Sequence, residues 1–448
     1  MLRTIFVVTI ILIGIAASFY GPVYALMFYL WTAYFRPESW IWSNFLIGSR
    51  LPLFIGIFLI ISTLVTGVKL RFSLFAGLLA LAAVQSLTSV LLSNYTNTIM
   101  PFWIEFIKAV IISYLITMLV DSEKKLRITL IVVSLSLGLE GAKQGWAQLV
   151  LNPGATNNNP HPMLGDNNGV AAGMLMLVPI LAALYQTTER KLIKYGFAFL
   201  AIGVIYRALS TYSRGAFLAF LVMCLIYWLR SEHKIRTIFV VVLISALLLP
   251  VFPQAFWDRM NTITVDEDED REGSSAGRIH FWGVAWEIAK DKPLFGVGHN
   301  AYKNAYNSYD FSRGRHGTGR AAHSTWFGIL SEWGFPGMAL FLGIYFYSIF
   351  LCVKTRSRCK NNPEYKSLMT YSNSIGISLV TYSVGATFLS AQYNEMLWHF
   401  FALAVACNQI PGIKEATERN KADSVQKNDE VFGATIQTRE GKYNSEVT

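Results

Sequence analysis

The stretch FSLFAGLLALAAVQSLTSVLLS, residues 72–93, contains no acidic or basic side chain. About 20 consecutive apolar residues suffice for a helix to cross the hydrocarbon core of a bilayer. Lys69 and Arg71 precede the stretch, whereas the segment 94–101 that follows it has no lysine or arginine. The pattern predicts a membrane-spanning helix whose basic end faces the cytoplasm.

The rest of the chain repeats this pattern. Of its 448 residues, 53% are hydrophobic and 15% are charged, whereas soluble domains carry about 25% charged residues. An apolar block at 4–35 crosses once or twice, depending on the break at Gly21-Pro22. Eleven apolar stretches follow, at 51–67, 72–93, 102–120, 128–150, 169–186, 195–212, 215–229, 237–252, 336–353, 367–389 and 394–410. We therefore expect an all-α polytopic membrane protein with about 12 transmembrane helices.

The basic residues are distributed by side. The connections 67–71, 121–127, 187–194, 230–236 and 354–366 hold 16 lysines and arginines, and the alternate connections 94–101, 151–168 and 389–393 hold none. This alternation places the basic connections in the cytoplasm. The net charge of +10 is therefore a topology signal with weak attraction to anionic membrane lipids, and no nucleic-acid partner is expected.

Four regions follow from this topology. They are an N-terminal transmembrane bundle at 1–252, a large extracytoplasmic loop at 253–335, C-terminal transmembrane helices at 336–410 and a disordered cytoplasmic tail at 411–448. An acidic, turn-rich run occupies 266–277 of the loop.

Two helices are predicted in the large loop. Ile279, Trp282, Trp286 and Ala289 recur at helical spacing, which predicts an amphipathic helix over 278–290 that lies on the membrane or the bundle. A short helix over 324–334 ends at Gly334 and Pro336.

Three arginines toward the outer side are candidates for holding a phosphate-bearing substrate. Arg207 and Arg214 are seven residues apart and would share one face of a continuous helix. Charges in spans are costly and commonly functional, and a planar guanidinium suits a phosphate. The alternatives are a snorkelling Arg214, a structural ion pair for Arg207 and, for Arg278 in the large loop, an ordinary solvated side chain.

His323 directly precedes the second predicted loop helix. A helix N-terminus disfavours an imidazolium, and a neutral imidazole with an ordinary pKa of about 6.5 can accept a proton from a hydroxyl. A lone loop histidine is more often without function. His280, His299, His316 and His323 lack zinc-type spacing. We therefore expect solvated histidines in this loop, and neither a metal nor another cofactor.

Polar side chains within the spans give further substrate-binding candidates. Glu140 and Lys143 are at i,i+3, which suits a mutual ion pair as well as a ligand contact. Gln392, Glu395 and His399 would share one face of the last span, where His399 is either a buried, hydrogen-bonded side chain or a ligand contact.

The motif GDNNG, residues 165–169, precedes a span. Asp166 and Asn167 are candidates for substrate contact. The alternative is a simple helix N-cap formed by Asp166 or Asn168.

In order along the chain, TYSRG (211–215), GRIHFWGVAWEIAKDKPLFGVG (277–298) and HSTWFGILSEWGFPG (323–337) resemble the O-antigen ligase and polymerase superfamily. The features GPVYALMFYLWTAYFRPESW (21–40), SLGLEGAKQG (136–145), GDNNG, LSTYSRG and RMNTI are similar to a subgroup, the O-glycosylation ligases that accompany exosortase systems. The subgroup has two glycines after the lysine, whereas Gln144 follows Lys143 here.

The resemblance implies an enzyme of the bacterial inner membrane whose active site faces the periplasm. It would transfer a glycan from a polyprenyl-diphosphate carrier to a hydroxyl of an envelope acceptor, such as a lipid A core, a protein or another glycan. Arg214 and Arg278 would hold the diphosphate, and His323 would deprotonate the acceptor, with inversion at the anomeric carbon and without a metal.

Two other functions remain open from the sequence. A polymerase would perform the same chemistry with a second carrier-linked glycan as acceptor. A transporter of the carrier-linked glycan would perform no chemistry, but its polar groups should gather at mid-membrane, whereas these gather toward one face.

Overall fold

Helices form the framework of the chain. The computed structural model describes residues 2–41, 46, 48–231, 233–248, 253–261, 275–416 and 418, and no β-strand forms among them. The helices are α1 (Leu2–Ser18), α2 (Pro22–Phe35), α3 (Pro37–Trp40), α4 (Leu51–Val65), α5 (Leu74–Leu91), α6 (Thr96–Leu119), α7 (Glu123–Leu151), α8 (Asn167–Thr187), α9 (Lys191–Leu209), α10 (Arg214–Arg230), α11 (Lys234–Leu248), α12 (Gln254–Asn261), α13 (Ser275–Asp291), α14 (Tyr302–Tyr309), α15 (Thr325–Cys359), α16 (Lys366–Ala386) and α17 (Glu395–Ala416).

Each of the eleven predicted spans after residue 50 overlaps a helix of the described residues. Within the described residues, six helices are long and apolar enough to cross a membrane, namely α5, α6, α8, α9, α15 and α17; α1 and α4 are shorter apolar helices. The prediction of an all-α membrane protein is therefore confirmed. The count of about twelve spans stays a prediction.

The N-terminal block forms two helices rather than one. Gly21 has a φ of 148°, and Pro22 starts α2, so the chain reverses at this point. The guanidinium of Arg3, at the far end of α1, lies 5.3 Å from the ring of Trp40, which follows α2. The two helices are therefore an antiparallel hairpin.

Helix α8 lies at the centre of the bundle. Its apolar stretch is 83% buried, against 33% for α5, and it packs against α7, α9, α10 and α16. Beside it, α7 and α9 approach very closely, because a Cβ on Gly145 would lie 1.9 Å from the carbonyl oxygen of Gly203. Small residues allow such close approach between membrane helices, and this contact brings the C-terminal ends of α7 and α9 together.

Helix α15 is bent where the sequence predicts a helix end. Gly334 has a φ of 71° inside it, and Pro336 follows. A Cβ at Gly334 would also lie 2.4 Å from the carbonyl oxygen of Pro293. The position thus requires glycine for its left-handed backbone and for the close approach of the loop.

Of the four apolar residues predicted on one face of the first loop helix, only Ala289 is fully buried against the rest of the protein. In α13 the side chains of Ile279 and Trp286 are 65% and 45% exposed, while the buried face consists of Phe281, Val284, Ala285, Ile288 and Ala289. Apolar residues surround most of this helix, so their spacing alone could not identify the face that packs against α14 and α15.

Several turns meet at one end of the bundle, which we call the loop face: 92–95, 152–166, 210–213 and 387–394, together with the loop 292–324. Hydrogen bonds join them from Ser93 Oγ to Val297 O at 2.6 Å, from Asn157 N to Ser210 O at 2.8 Å and from Asn394 Nδ2 to Met163 O at 2.9 Å. The sequence predicts that this face lies outside the cytoplasm.

The boundary of the predicted tail needs one correction. Helix α17 continues beyond residue 410 and ends at Ala416, so the predicted disordered tail begins too early. The remainder of that tail from 419 onward, and the acidic run over 266–274, lie outside the described residues.

Candidate active site

Phe388, in the turn before α17, brings two of the predicted arginines together. A Cβ on Gly215, the residue after Arg214, would lie 3.1 Å from the Phe388 ring. The guanidinium of Arg278 lies over the same ring, 5.6 Å from its centroid. The starts of α10 and α13 therefore lie against the same aromatic side chain.

His323 joins this arrangement through the aromatic residues of α13. Its ring centroid lies 5.9 Å from that of Phe281. The next residue, Trp282, stacks on Phe327 at 5.3 Å and 9° and lies 6.3 Å from Phe388. The aromatic side chains thus connect the histidine to Phe388, the ring against which both helix starts lie. We call Arg214, Arg278, His323 and these aromatic residues the Phe388 cluster.

Three helix N-termini gather in the Phe388 cluster. Arg214 is the first residue of α10, and Ser213 caps that helix by accepting from Ala216 N at 3.3 Å. Arg278 lies in the first turn of α13. His323 directly precedes Ser324, the cap of α15. Helix N-termini carry partial positive charge and exposed N–H groups, so they add to the arginines in favouring an anion.

The backbone of His323 has an unusual conformation. Its φ is 45°, in the left-handed region that few residues other than glycine occupy. The following turn of α15 is fixed on the 387–394 turn, because Thr325 Oγ1 donates to Leu389 O at 2.8 Å and Trp326 Nε1 donates to Thr387 Oγ1 at 3.1 Å. Such strain persists where surrounding contacts hold it, and it is common at functional sites.

The sequence predicts that Arg207 and Arg214 share one face of a continuous helix. This prediction is wrong. Helix α9 ends at Leu209 and α10 begins at Arg214, with a turn between them. Arg207 is 2% exposed and donates to Gln144 Oε1 at 3.0 Å and to the carbonyl oxygens of Asn157 and Asn159 at 3.2 and 2.7 Å. These bonds fix the 152–166 turn on α7 and α9.

Lys143 belongs to a second cluster of polar side chains, around Glu140. Gln144 connects this cluster to Arg207, since it bonds to both residues. Lys143 Nζ is 2.6 Å from Glu140 Oε2, which is the ion pair that the sequence offered as one alternative. Trp40 Nε1 and Gln144 Nε2 also donate to this carboxylate, at 2.8 and 3.0 Å. The Lys143 side chain remains half exposed.

The other three candidates have structural contacts. Asp166 Oδ1 accepts from Gly169 N at 2.9 Å and caps α8, as the alternative predicted. Asn167 Nδ2 donates to Asn158 Oδ1 at 2.7 Å. His399 is fully buried in α17, with Nδ1 3.1 Å from the hydroxyl of Tyr34.

Two loop histidines predicted to be solvated are buried. His280 is 8% exposed, and its Nε2 lies 2.8 Å from Asp310 Oδ1. His299 is fully buried; it accepts from Trp333 Nε1 at 3.3 Å and stacks on Tyr393 at 3.7 Å. The loop packs into a core shared with α5, α6 and α13, which the polar composition of 292–324 conceals.

Glu332, a buried carboxylate that supports the site, was not among the residues predicted from the sequence. It accepts from the Tyr393 hydroxyl at 2.7 Å, from Gln392 Nε2 at 3.0 Å and from Tyr302 N at 3.1 Å. These bonds join α15, α14 and the turn that carries Phe388. An acidic residue in the apolar run GILSEWG was the available signal, because a buried charge needs partners.

Burial of His299 makes the fold sensitive to acid. Burial lowers its pKa to about 3, whereas an unfolded histidine titrates near pH 6.5. The unfolded state therefore binds more protons between these values, and stability is lost as the pH falls below about 6.5. From pH 7 to pH 5 we expect a loss of about 2 kcal/mol from this residue.

Thermal unfolding of the detergent-solubilised protein at pH 7, 6 and 5 tests this. The His299→Gln variant should show a smaller fall in the unfolding temperature than the wild type. His161 contributes in the same direction, because burial, Arg36 and Arg207 lower its pKa to about 4. The quantity to compare between the two proteins is therefore the slope of the unfolding temperature against pH. Equal slopes for both proteins would contradict the assignment.

Among the described residues, no three histidine, cysteine, aspartate or glutamate side chains are close enough to hold a metal ion together. The Phe388 cluster instead combines arginines, helix N-termini and an imidazole. Such a set can bind a doubly charged anion and accept a proton beside it.

One protein family matches part of the chain. The O-antigen ligase family matches residues 195–342, about a third of the chain, and this segment contains Arg214, Arg278 and His323. The match supports the O-antigen ligase and polymerase superfamily for this chain and confirms the predicted resemblance at that level; the exosortase-associated subgroup stays a prediction. None of the curated proteins compared with the chain matches it.

Proposed function

We propose that the protein transfers a glycan from a polyprenyl-diphosphate carrier to a hydroxyl of an envelope acceptor, on the periplasmic face of a bacterial inner membrane. The observation that carries the proposal is the convergence of Arg214, Arg278 and His323, each at the start of a helix, around Phe388. The family match supports glycosyl transfer of the ligase or polymerase type.

In the proposed step, the acceptor oxygen attacks the anomeric carbon while His323 takes the hydroxyl proton. The bond between this carbon and the diphosphate oxygen breaks, and its electron pair leaves with the diphosphate. Arg214, Arg278 and the three helix N-termini stabilise the negative charge that develops on the departing oxygen. Attack opposite to the leaving group inverts the anomeric configuration.

The positions of the reacting groups suit the two substrates. The carrier is held by its lipid in the membrane, and the acceptor is approached from the aqueous side. The Phe388 cluster lies on the loop face, where the spans end, so both substrates can reach it. The step uses neither a metal nor another cofactor in this proposal.

Deleting the gene from the source cell distinguishes the related functions. We expect full-length glycan to accumulate on the polyprenyl carrier. The measurement is to extract the lipids and to separate the glycans by the carrier that holds them and by their length. Accumulation of single repeat units on the carrier would instead support a polymerase. The third outcome is that carrier-linked glycan accumulates on the cytoplasmic side of the membrane, measured in sealed vesicles. It would contradict the ligase and the polymerase and support a transporter.

A further inference from the structure

A cavity opens on the loop face at the C-terminal end of α13, away from the Phe388 cluster. Its volume is about 640 Å³, and it lies between the α5–α6 turn, the loop after α13 and the end of α14. Its polar and aromatic lining includes Asn94, Tyr95, Asp291, Lys292, Ser308 and Tyr309. A cavity of this size is within the range of small-molecule sites, and the proposed reaction does not use it.

The lining combines hydrogen-bond donors, hydrogen-bond acceptors and aromatic surface. Asp291 and Lys292 are about half exposed, with Lys292 Nζ 3.7 Å from Asp291 Oδ2. The Tyr309 hydroxyl donates to the same oxygen at 2.5 Å. In the described part of the chain both contacts of this carboxylate are on Oδ2, so Oδ1 can accept from a ligand.

This composition suits a carbohydrate. Sugars present neighbouring hydroxyls, which bind carboxylates, amides and ammonium groups, and C–H surfaces, which pack on aromatic side chains. One carboxylate and one ammonium nearly cancel, which does not favour an anion such as a diphosphate. The polar groups at the rim likewise do not favour a lipid chain.

Helix α13 fixes the distance between this cavity and the proposed reaction site. Arg278 lies in its first turn and Asp291 is its last residue, so about 20 Å of helix separates them. Both ends are held on α15, because Trp282 stacks on Phe327 and Phe335 N donates to Pro293 O at 2.8 Å. The two sites therefore keep a fixed separation, which several linked sugar units would span.

We propose that this cavity, lined by Tyr95, Asp291 and Tyr309, is a glycan subsite that binds sugar units several residues away from the reacting anomeric carbon. This inference rests on the proposed function, since it requires a glycan at the Phe388 cluster. It implies that the enzyme acts better on long glycans than on single repeat units.

Transfer assays with carrier-linked glycans from the source membranes, separated into single-unit and long-chain fractions, test the subsite. The Asp291→Ala and Tyr309→Phe variants should lower kcat/KM for the long-chain fraction about tenfold, as expected for one lost hydrogen bond to a charged group. Both should leave the single-unit fraction unchanged. The matched control is Glu287→Gln, an exposed acid on α13 that pairs with Lys290 at 2.7 Å outside the cavity and should change neither.

A second readout separates this inference from the proposed function. The free glycan, released by mild acid from the long-chain fraction, is titrated into the solubilised wild type and Asp291→Ala proteins in a calorimeter. Weaker binding of the glycan to the variant supports the subsite, whether or not transfer occurs. If binding weakens but the wild type transfers no glycan, the proposed function is wrong and the subsite is retained. Equal binding, or equal losses of transfer with both fractions, would overturn the subsite.

Discussion

Replacing His323 by alanine is expected to lower the rate of glycan transfer by about 10²–10⁴-fold, the usual contribution of a general base. The histidine stands beside the start of α15, next to the aromatic residues that connect it to Arg278. Without the imidazole, the attacking hydroxyl has no group in the cluster suited to accept its proton. Transfer should be measured with purified protein at saturating donor and acceptor.

The same experiment needs evidence that the site is intact. Binding of the carrier-linked donor should be unchanged in His323→Ala, because the arginines and helix N-termini that hold the diphosphate remain. His233→Ala is the control, since this histidine is exposed and lies in a predicted cytoplasmic connection; it should keep the full rate. If His323→Ala folds, binds donor and transfers glycan at the wild-type rate, His323 is not the base.

Replacing Arg214 or Arg278 by lysine should lower the transfer rate by about 10²–10³-fold, comparable to loss of a donor that stabilises a developing oxyanion. Lysine keeps the charge but loses the planar fork that holds two oxygens at once. Arg278 and the backbone next to Arg214 both lie against Phe388, and the two arginines are proposed to bind one diphosphate. The loss in the double variant should therefore be smaller than the product of the single losses.

Rates measured across donor concentrations separate binding from catalysis in these variants. We expect a lower kcat as well as weaker donor binding, because charge grows on the diphosphate as the bond breaks. Arg313→Lys, an exposed arginine on the loop face, is the matched control and should match the wild type. Full activity in both Arg214→Lys and Arg278→Lys would remove these residues from the diphosphate site.

The helices could be predicted because lipid imposes a simple pattern. An apolar run of span length, with lysine and arginine on one side only, leaves few alternatives for the segment 72–93. The bend in α15 was predictable for a local reason, since Gly334 permits a left-handed backbone there and Pro336 cannot continue the preceding turn of helix. Packing of α13 was not, because Ile279 and Phe281 are equally apolar and only tertiary contacts decide which one is buried.

The candidate site could be predicted in part. Arg214, Arg278 and His323 stand in polar motifs near helix starts, which sequence reveals. Phe388, which brings them together, is one of 30 phenylalanines, and nothing local distinguishes it. Arg207 was predicted to share a face with Arg214, but the turn after Leu209 ends that helix. Chain direction at such turns depends on contacts made by distant residues.

The most direct test is to reconstitute the purified protein in phosphatidylethanolamine–phosphatidylglycerol vesicles with carrier-linked glycan and envelope acceptors extracted from the source cell. The quantity to measure is the polyprenyl diphosphate released per glycan joined to acceptor. We predict equal amounts of both products from the wild type and neither from His323→Ala. Glycan that crosses the vesicle membrane while still attached to its carrier, with no diphosphate released, would contradict the account and support a transporter.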